Sequence, residues 1–542
     1  MKLLSILSAG AIFALPFTLT AQVRHSSDEI SVMRCSDLET LSIHTSYLLQ
    51  QTDMNYVSPT GDLFIVEVYD HNQNLASLRA CSYYYFNAAT GAKVKSEDTN
   101  SHRSFVSTEQ GILAVGRDIT VLDSTTLQPL WYHKRFRDIP FFVHHGTLMA
   151  LGGGRGRFYG YDLATGAELW EVKIEHDGGV SEVFVLDDDH VLLVADELVK
   201  INTKTGAMQK FEIKNSIKNG GQITGQIFAG IALGVAGVAS AATTGVGYYY
   251  VPPTHGNIGQ SNGTLYQIMG ESNTIAHLTS NVLQSGPFLY LADRDGVRCF
   301  NPDLDLIWSA NLPPRHASQS HLSLSGDTLW MVNFGLGQFD GSRTSHTGYP
   351  FVAAFRAKTG EQLFYKEIGE KHAPVRQVNV KGQRACYLYR DSCQVAHLDG
   401  SREVFTQRGK EFKDLTIADG EIYLLNAETR RFEPLSPTET YLTNQEGNLF
   451  RLSSTEGLVQ ESTSGYVYHR CGIFADSLNV MLGGPNHTDC WLTNPSGDAM
   501  YHVMTPINDY IVRKDYLYLF YDDKFFILNR EKLGLATEAE EQ

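Results

Sequence analysis

The chain has 542 residues, and its formal net charge of −16 at pH 7 argues against a nucleic-acid partner, because phosphate binding requires clustered Lys and Arg. Its length exceeds the usual size of a single core, but repeat architectures escape that limit because each unit packs against its neighbours. The seven cysteines are scattered and form no C-x-x-C pair, so zinc-knuckle and thioredoxin-like sites have no support.

Residues 1–21 have the pattern of a secretory signal peptide. Lys2 precedes an apolar run over residues 3–15, and the small residue Ala21 stands before Gln22. No cysteine lies at the cleavage site, so we expect no lipid anchor. The sequence therefore predicts a protein exported to the periplasm or the extracellular space.

Residues 22–58 precede the repeats as an N-terminal extension. Within them Ser36 to Glu39 fit a capping box, and the apolar residues Leu41, Ile43, Leu48 and Leu49 follow. This pattern predicts a short helix before the first repeat.

A repeated phrase organises residues 59–534. Its strongest copy, Tyr-Asp-Leu-Ala-Thr-Gly-Ala-Glu-Leu-Trp, spans residues 161–170, and weaker copies recur at intervals of about forty residues. Each copy reads as a β-hairpin, in which Gly166 supplies a positive φ, Asp162 binds the turn backbone and Trp170 packs between adjacent sheets. The equivalent turn glycines are Gly91, Gly206 and Gly360.

Such hairpins need a closed arrangement, because a ring of sheets is what buries every sheet face against a neighbour. We expect an all-β fold, a single β-propeller of seven or eight four-stranded blades, with its last blade completed by strands from both ends of the chain. Two smaller propellers are the alternative. Residues 535–542 form an acidic C-terminal tail.

The spacing of Asp, Thr-Gly and Trp in this phrase resembles the pyrroloquinoline-quinone-like (PQQ-like) propeller repeat. That family includes quinoprotein dehydrogenases and the non-catalytic propeller protein of the outer-membrane barrel assembly machinery. The resemblance implies a fold and an envelope compartment, and it leaves the activity open.

An uncharged, Gly/Ala-rich insertion at residues 219–262 interrupts the ring. Its apolar centre, residues 227–247, is nearly long enough for a membrane helix, but a single span would put the blades on opposite sides of the bilayer. Two interpretations of the insertion remain: a segment packed on the propeller, or a surface that contacts a partner protein or a membrane interface. The candidate contact residues are Ile227, Phe228, Leu233, Tyr248, Tyr249 and Tyr250.

No convincing catalytic group emerges from the sequence. A quinone site of the dehydrogenase type often has adjacent cysteines, which are absent, and three of the five tryptophans occupy the structural position of the repeat. Residues 259–263 match the G-x-S-x-G string of a nucleophile elbow, but they lie in a polar loop rather than between a strand and a helix. We therefore expect no catalytic residue, cofactor or metal.

The leading hypothesis is a secreted or periplasmic, non-catalytic propeller scaffold that binds another protein and touches the envelope through residues 227–247. The alternative is a quinone- or small-ligand-binding enzyme that uses the central channel. Convergent carboxylates and aromatic residues around a deep channel pocket would favour the enzyme, whereas a channel filled by ordinary side chains would favour the scaffold.

Overall fold

The computed structural model describes much of residues 22–535. The parts it leaves out within that range are 27–29, 44–45, 51, 70–80, 100–102, 117, 135–140, 152–155, 175–179, 181, 214–215, 219–257, 262–263, 268–274, 314–319, 340–342, 347, 370–376, 382–383, 390–391, 398–402, 409–414, 419–420, 445, 454–456 and 522–523. The expected signal peptide, the centre of the insertion and residues 536–542 lie outside the described residues.

The described residues form strands and three short 3-10 helices, with no α-helix among them. None of them forms a helix with the length and hydrophobicity of a membrane span. The N-terminal extension contains β1 (Gln22–Ser26), β2 (Ile30–Arg34), β3 (Thr40–Ile43) and β4 (Ser46–Gln50). The next sixteen strands are β5 (Thr52–Val57), β6 (Leu63–Tyr69), β7 (Cys81–Asn87), β8 (Lys93–Thr99), β9 (Ser104–Thr108), β10 (Gly111–Val115), β11 (Ile119–Leu122), β12 (Pro129–His133), β13 (Phe141–His144), β14 (Thr147–Leu151), β15 (Arg157–Asp162), β16 (Glu168–Lys173), β17 (Glu182–Asp187), β18 (His190–Val194), β19 (Glu197–Asn202) and β20 (Met208–Glu212).

The middle of the chain contains β21 (Ser216–Lys218), β22 (Ile258–Ser261), β23 (Thr264–Gln267), β24 (Ile275–His277), β25 (Leu283–Ser285), β26 (Phe288–Ala292), β27 (Gly296–Phe300), β28 (Leu306–Asn311), β29 (Ser320–Ser325), β30 (Thr328–Asn333), β31 (Leu336–Phe339), β32 (Arg343–His346), β33 (Phe351–Arg356) and β34 (Gln362–Glu367). The last third contains β35 (Gln377–Lys381), β36 (Arg384–Leu388), β37 (Ser392–His397), β38 (Glu403–Arg408), β39 (Thr416–Ile417), β40 (Ile422–Asn426), β41 (Arg431–Pro434), β42 (Tyr441–Thr443), β43 (Leu449–Ser453), β44 (Gly457–Ser462), β45 (Val467–Phe474), β46 (Leu478–Gly483), β47 (Asp489–Thr493), β48 (Ala499–Val503), β49 (Asp509–Val512), β50 (Tyr516–Tyr521) and β51 (Lys524–Asn529). The 3-10 helices are Ser464–Tyr466, Pro485–His487 and Glu531–Leu533.

The described strands form eleven sheets, eight of them four-stranded, and their β-propeller arrangement confirms the predicted fold class. The other three sheets among the described residues have five, six and eight strands, because extra strands pair with the edge of a blade. One of the four-stranded sheets joins β21, β24, β31 and β32, which lie in connections between or within other sheets.

Apolar clusters join each blade to the next. Val121 of the β9–β12 sheet packs with Phe141 and Tyr161 of the β13–β16 sheet, and Trp308 packs with residues of the following sheet in the same way. The last strand of a blade is its most exposed, as the alternating pattern of β16 shows, whereas β10 and β11 are fully buried. The last strand is therefore the outer edge of the blade, and the first strand lies toward the ring centre.

The ring closes where the last blade meets the first. Phe64 of β6 packs with Tyr518 and Phe525. The Arg513 guanidinium donates from Nε to the Ser58 carbonyl oxygen at 2.9 Å, and the Tyr518 hydroxyl donates to the Gly61 carbonyl oxygen at 2.6 Å. The blade itself contains strands from both chain ends, because β4 pairs with β51 and β1 pairs with β4.

The predicted short helix in residues 22–58 is wrong, because the described part of this segment forms strands. The capping-box residues make a tight β-turn: the Glu39 amide donates to Asp37 Oδ1 at 3.0 Å, and Leu38 has a φ of 60°. The hairpin β2–β3 then pairs with β48 through Val32 and Val503. Pairing with a distant strand outweighs the local helix signal.

Two hairpins extend blades on the side of their first strand. The hairpin β22–β23 pairs with β13, so residues 258–261 of the predicted insertion belong to a sheet. The hairpin β40–β41 pairs with β45, and Phe432 folds back to pack on Tyr468, Met481 and Trp491.

Candidate functional site at the blade junctions

The repeated turn is held by its own polar side chain. Asp162 Oδ1 accepts hydrogen bonds from the Thr165 amide at 2.8 Å and the Thr165 hydroxyl at 2.7 Å, which lower the pKa of Asp162. The Gly166 amide donates to the Asp162 carbonyl oxygen at 2.8 Å, and Gly166 has a φ of 72°. The turn glycines Gly91, Gly206 and Gly360 also have positive φ values.

Three tryptophans of the repeats, Trp131, Trp170 and Trp308, pack on the turn of the next blade. Trp170 Nε1 donates to the Thr203 carbonyl oxygen at 2.9 Å, and a Cβ placed on Gly206 would lie 2.7 Å from Trp170 Cγ. Glycine is therefore needed for its φ and for its lack of a side chain. We call such a contact a Trp–Gly junction; its three examples are Trp131 with Gly166, Trp170 with Gly206, and Trp308 with Gly360.

A β-bulge in the outer strand orients the side chain of each of these tryptophans. Strand β16 has one extra residue, Leu169, between the partners of Gly160 and Tyr161, and this places Trp170 on the face that meets the next blade. The extra residue is left on the surface. The same bulge position carries an exposed apolar residue in several blades: Val94, Leu130, Leu169, Ile307 and Leu363.

At two of the described junctions a leucine replaces the turn glycine, and the preceding blade has no tryptophan to pack on it. Leu127 and Leu304 occupy the left-handed position of their turns, with φ values of 56° and 58°. The preceding outer strand has Lys95 in the tryptophan position at the first of these junctions, and β20 has neither a bulge nor a tryptophan at the second. Each leucine packs into the core that it shares with the preceding blade, so we call these contacts Leu junctions.

Lys95 also hydrogen-bonds the facing turn, but at a different carbonyl group from the tryptophans. Its Nζ donates to the Leu127 carbonyl oxygen at 2.9 Å, at the turn position of Gly166, whereas the indole N–H of Trp131 donates to the Leu163 carbonyl oxygen at 2.8 Å. The flat ring is missing, however, and a cavity of about 300 Å³ opens there between β8 and β11–β12. This volume lies at the lower end of the range for small-molecule sites.

An ion network forms the inner side of this cavity. Arg103 donates from Nε and Nη2 to the two carboxylate oxygens of Asp118 at 3.1 and 2.7 Å, and from Nη1 to Glu97 Oε1 at 2.5 Å. Burial by itself would lower the pKa of Arg103, but the bonds to Asp118 and Glu97 outweigh burial and raise it. The guanidinium thus stays charged and fixed.

The second Leu junction also contains a perturbed carboxyl group. Glu182 Oε2 accepts a hydrogen bond from the Val282 amide at 2.9 Å. Burial raises the pKa of Glu182 to about 7, while that hydrogen bond acts in the opposite direction. At the same junction between blades, Lys200 Nζ pairs with Asp303 at 2.8 Å.

The other candidates from the sequence have different outcomes. The six contact residues of the insertion, Ile227, Phe228, Leu233, Tyr248, Tyr249 and Tyr250, lie outside the described residues. The described residues of the G-x-S-x-G string lie in strand β22, which pairs with β23 and is not followed by a helix. Within the described part of the chain, no group of three or more His, Cys, Asp or Glu side chains is arranged to hold a metal.

A match to a known protein family covers part of the blades described above. Residues 84–215 match the PQQ-like family model described as outer membrane protein assembly factor BamB. This stretch carries the PQQ-like repeat. It runs from β7 to just past β20 and includes two of the three Trp–Gly junctions. No curated protein matches the sequence.

Among solved structures, BamB from Moraxella catarrhalis shares 12% identity over 78% of this chain and 95% of its own, with a TM-score of 0.33. The computationally designed Ika8 protein shares 12% identity over 74% and 96%, with a TM-score of 0.30. Hsv2p from Kluyveromyces lactis shares 8% identity over 76% and 96%, with a TM-score of 0.29.

Sequence reasoning missed the cavity and the Leu junctions. A usable signal was present, because Leu127 replaces the turn glycine in the repeat after the one in which Lys95 replaces the tryptophan. The relation between these two substitutions becomes visible only when the repeats of adjacent blades are compared.

Proposed function

We propose that this protein is an exported, non-catalytic propeller scaffold of the cell envelope that binds a protein partner. The observation that carries the proposal is the match of residues 84–215 to the model of an outer-membrane protein assembly factor. A rigid ring suits this role, because its rim and loops can vary without disturbing the packed cores between blades.

The outer rim supports the proposal. Bulged strands leave Val94 53% and Leu130 49% exposed, and Tyr132 beside them is 50% exposed. Among the described strands, β8 and β12 are the last of their sheets, so each presents an edge that can pair with an extended segment.

The uncharged segment at 219–262 is the second part of the proposal. We infer that it contributes a contact to a partner or to a membrane interface through Ile227, Phe228, Leu233 and Tyr248–Tyr250. Described strands anchor it on both sides, since β21 pairs with β24 and β22 pairs with β23.

Deletion of residues 222–250 tests this part. Cells expressing the intact protein and the deletion are fractionated and treated with a crosslinker, and deletion of the acidic tail at 536–542 serves as the control. We expect membrane association or partner recovery to fall in the first deletion alone. Equal behaviour of all three proteins would contradict the role given to the segment.

A further inference from the structure

The junction between the β5–β8 and β9–β12 sheets differs from its neighbour in four equivalent positions. At the next junction the outer space is filled by the aromatic rings of Trp131, His133, Tyr159 and Tyr161. Ring centroids there are 5.5 Å apart for Trp131 and His133 and 4.8 Å apart for His133 and Tyr161.

The strand registers identify the counterparts. Lys95 lies opposite Tyr85 as Trp131 lies opposite Val121, and both follow a bulge of one residue. Two positions further along each strand stand Glu97 and His133. On the facing blade, Thr120 and Leu122 take the places of Tyr159 and Tyr161. Four ring-bearing residues are thus replaced by four residues without rings, and the cavity of about 300 Å³ occupies the vacated space.

The lining of the cavity suits a neutral planar group. The Arg103 guanidinium is paired with Asp118 and Glu97, and its flat face can stack on an aromatic ring. Lys95 Nζ is bound to the Leu127 carbonyl oxygen, and Tyr132 stands at the rim. Because these charges are already compensated, a charged ligand would gain little from them.

We propose that this cavity binds an aromatic side chain, Trp or Tyr, carried by an extended segment of a partner protein. The segment lies along the outer strands β8 and β12 and inserts its ring into the cavity. At the neighbouring junction the equivalent space is filled by the rings of Trp131, His133, Tyr159 and Tyr161. The chain already uses the same mode of pairing, because β1 pairs with β4 and β2 pairs with β48 on the outer edges of two other blades. This inference rests on the proposed scaffold function and names the chemistry of the partner.

A direct binding measurement on the full chain tests the cavity. The probe is N-acetyl-5-fluorotryptophanamide, followed by fluorine NMR titration. The variant Thr120→Tyr fills the cavity with a tyrosine, the residue type that the neighbouring junction has at the equivalent position, Tyr159. We expect saturable binding to the wild type, and a weakening of at least tenfold in Thr120→Tyr.

Two further variants keep this test decisive. Ser96→Tyr adds the same side chain at an exposed position on the same strand as Lys95, so its binding should match that of the wild type. If Thr120→Tyr does not fold, as judged by circular dichroism, Gln128→Trp obstructs the cavity from the exposed rim and should weaken binding in the same way. Absence of saturable binding to the wild type, or equal binding to the filled variants, overturns the proposal.

Crosslinking separates the failure of this inference from the failure of the proposed function. A photo-crosslinking residue at Leu130 is introduced into the wild type, Thr120→Tyr and the control Glu171→Tyr, which adds a tyrosine at an exposed position of β16 in another blade. We expect a crosslinked partner whose recovery falls at least fivefold in Thr120→Tyr alone, with the attachment next to a Trp or Tyr. Equal recovery from all three proteins rejects the proposal that an aromatic side chain occupies the cavity, but it leaves the proposed scaffold function intact. Absence of any partner with the wild type, together with probe binding, rejects the scaffold and the peptide occupant.

Discussion

In both the Trp–Gly junctions and the Leu junctions a large side chain fills the space between two adjacent blades, but it comes from opposite blades in the two cases. At the junction of Trp170 with Gly206, the wedge comes from the earlier blade and the later turn provides a bare backbone. At the Leu127 junction, the wedge comes from the later turn, and the earlier blade provides Lys95 instead of a ring. The comparison teaches that a tryptophan wedge requires glycine in the facing turn, because a Cβ on that turn would collide with the indole ring.

The largest effect is expected for Trp170→Ala. The change removes a buried indole and leaves the Thr203 carbonyl oxygen without its donor, so unfolding free energy should fall by about 3–5 kcal/mol. Urea denaturation followed by circular dichroism measures it. Leu169→Ala, at the exposed bulge next to it, should change stability by less than about 0.5 kcal/mol. Similar losses in both variants would contradict the wedge role of Trp170.

A smaller loss is expected for Gly206→Ala, because a Cβ would lie 2.7 Å from Trp170 Cγ in addition to the strain of a φ of 71°. We expect a loss of about 2–3 kcal/mol. Gly326→Ala is the matched control, since Gly326 has a φ of 58° and no heavy atom within 4 Å of the added Cβ. It should lose only about 1 kcal/mol in the same denaturation experiment. Equal losses would show that backbone strain alone explains the glycine.

The sequence predicted the turn and the wedge because both are local. Asp162, Gly166 and Trp170 lie within nine residues, and each has one physical task there. The Ser36–Glu39 segment shows the limit of such reasoning. Its polar pattern suits a helix N-terminus, yet the adjacent strand β2 pairs with β48 about 470 residues away, and no local pattern encodes that partner. The cavity beside Lys95 was missed for a related reason, since its signal appears only when residues from the repeats of two adjacent blades are compared.

A double-mutant cycle tests whether the two kinds of junction can be exchanged. Lys95→Trp alone should be destabilising, because a ring at this position meets the side chain of Leu127. Leu127→Gly alone should also be destabilising, because it removes an apolar side chain that is only 6% exposed. In the double variant the ring should pack on glycine as Trp131 packs on Gly166.

We expect a favourable coupling energy of about 1–3 kcal/mol between these two substitutions, obtained from four urea denaturation curves. Lys93→Trp combined with Leu127→Gly is the control pair, because Lys93 is exposed and lies over the Tyr84 ring. A coupling energy near zero for the Lys95 pair would mean that the junction types differ by more than these two positions.

The smallest expected effect concerns the pH dependence of the second Leu junction. Burial raises the pKa of Glu182 from 4.5 to about 7, so between these pH values the folded protein binds more protons than the unfolded chain. Its contribution to stability is therefore fully present below pH 4.5, falls as pH rises to 7, and stays low above that. Glu182→Gln keeps an oxygen acceptor for the Val282 amide and removes this titration.

The Gln variant and the wild type should have similar stability near pH 4, and the variant should be more stable by about 1–2 kcal/mol near pH 8. Thermal unfolding over this pH range measures the difference, with Glu168→Gln on the exposed face of β16 as the control. A pH-independent difference between Glu182→Gln and the wild type would show that the carboxyl group ionises without hindrance at this junction. The expected result would instead mean that the carboxyl group that accepts from the Val282 amide stays protonated in the folded protein below about pH 7.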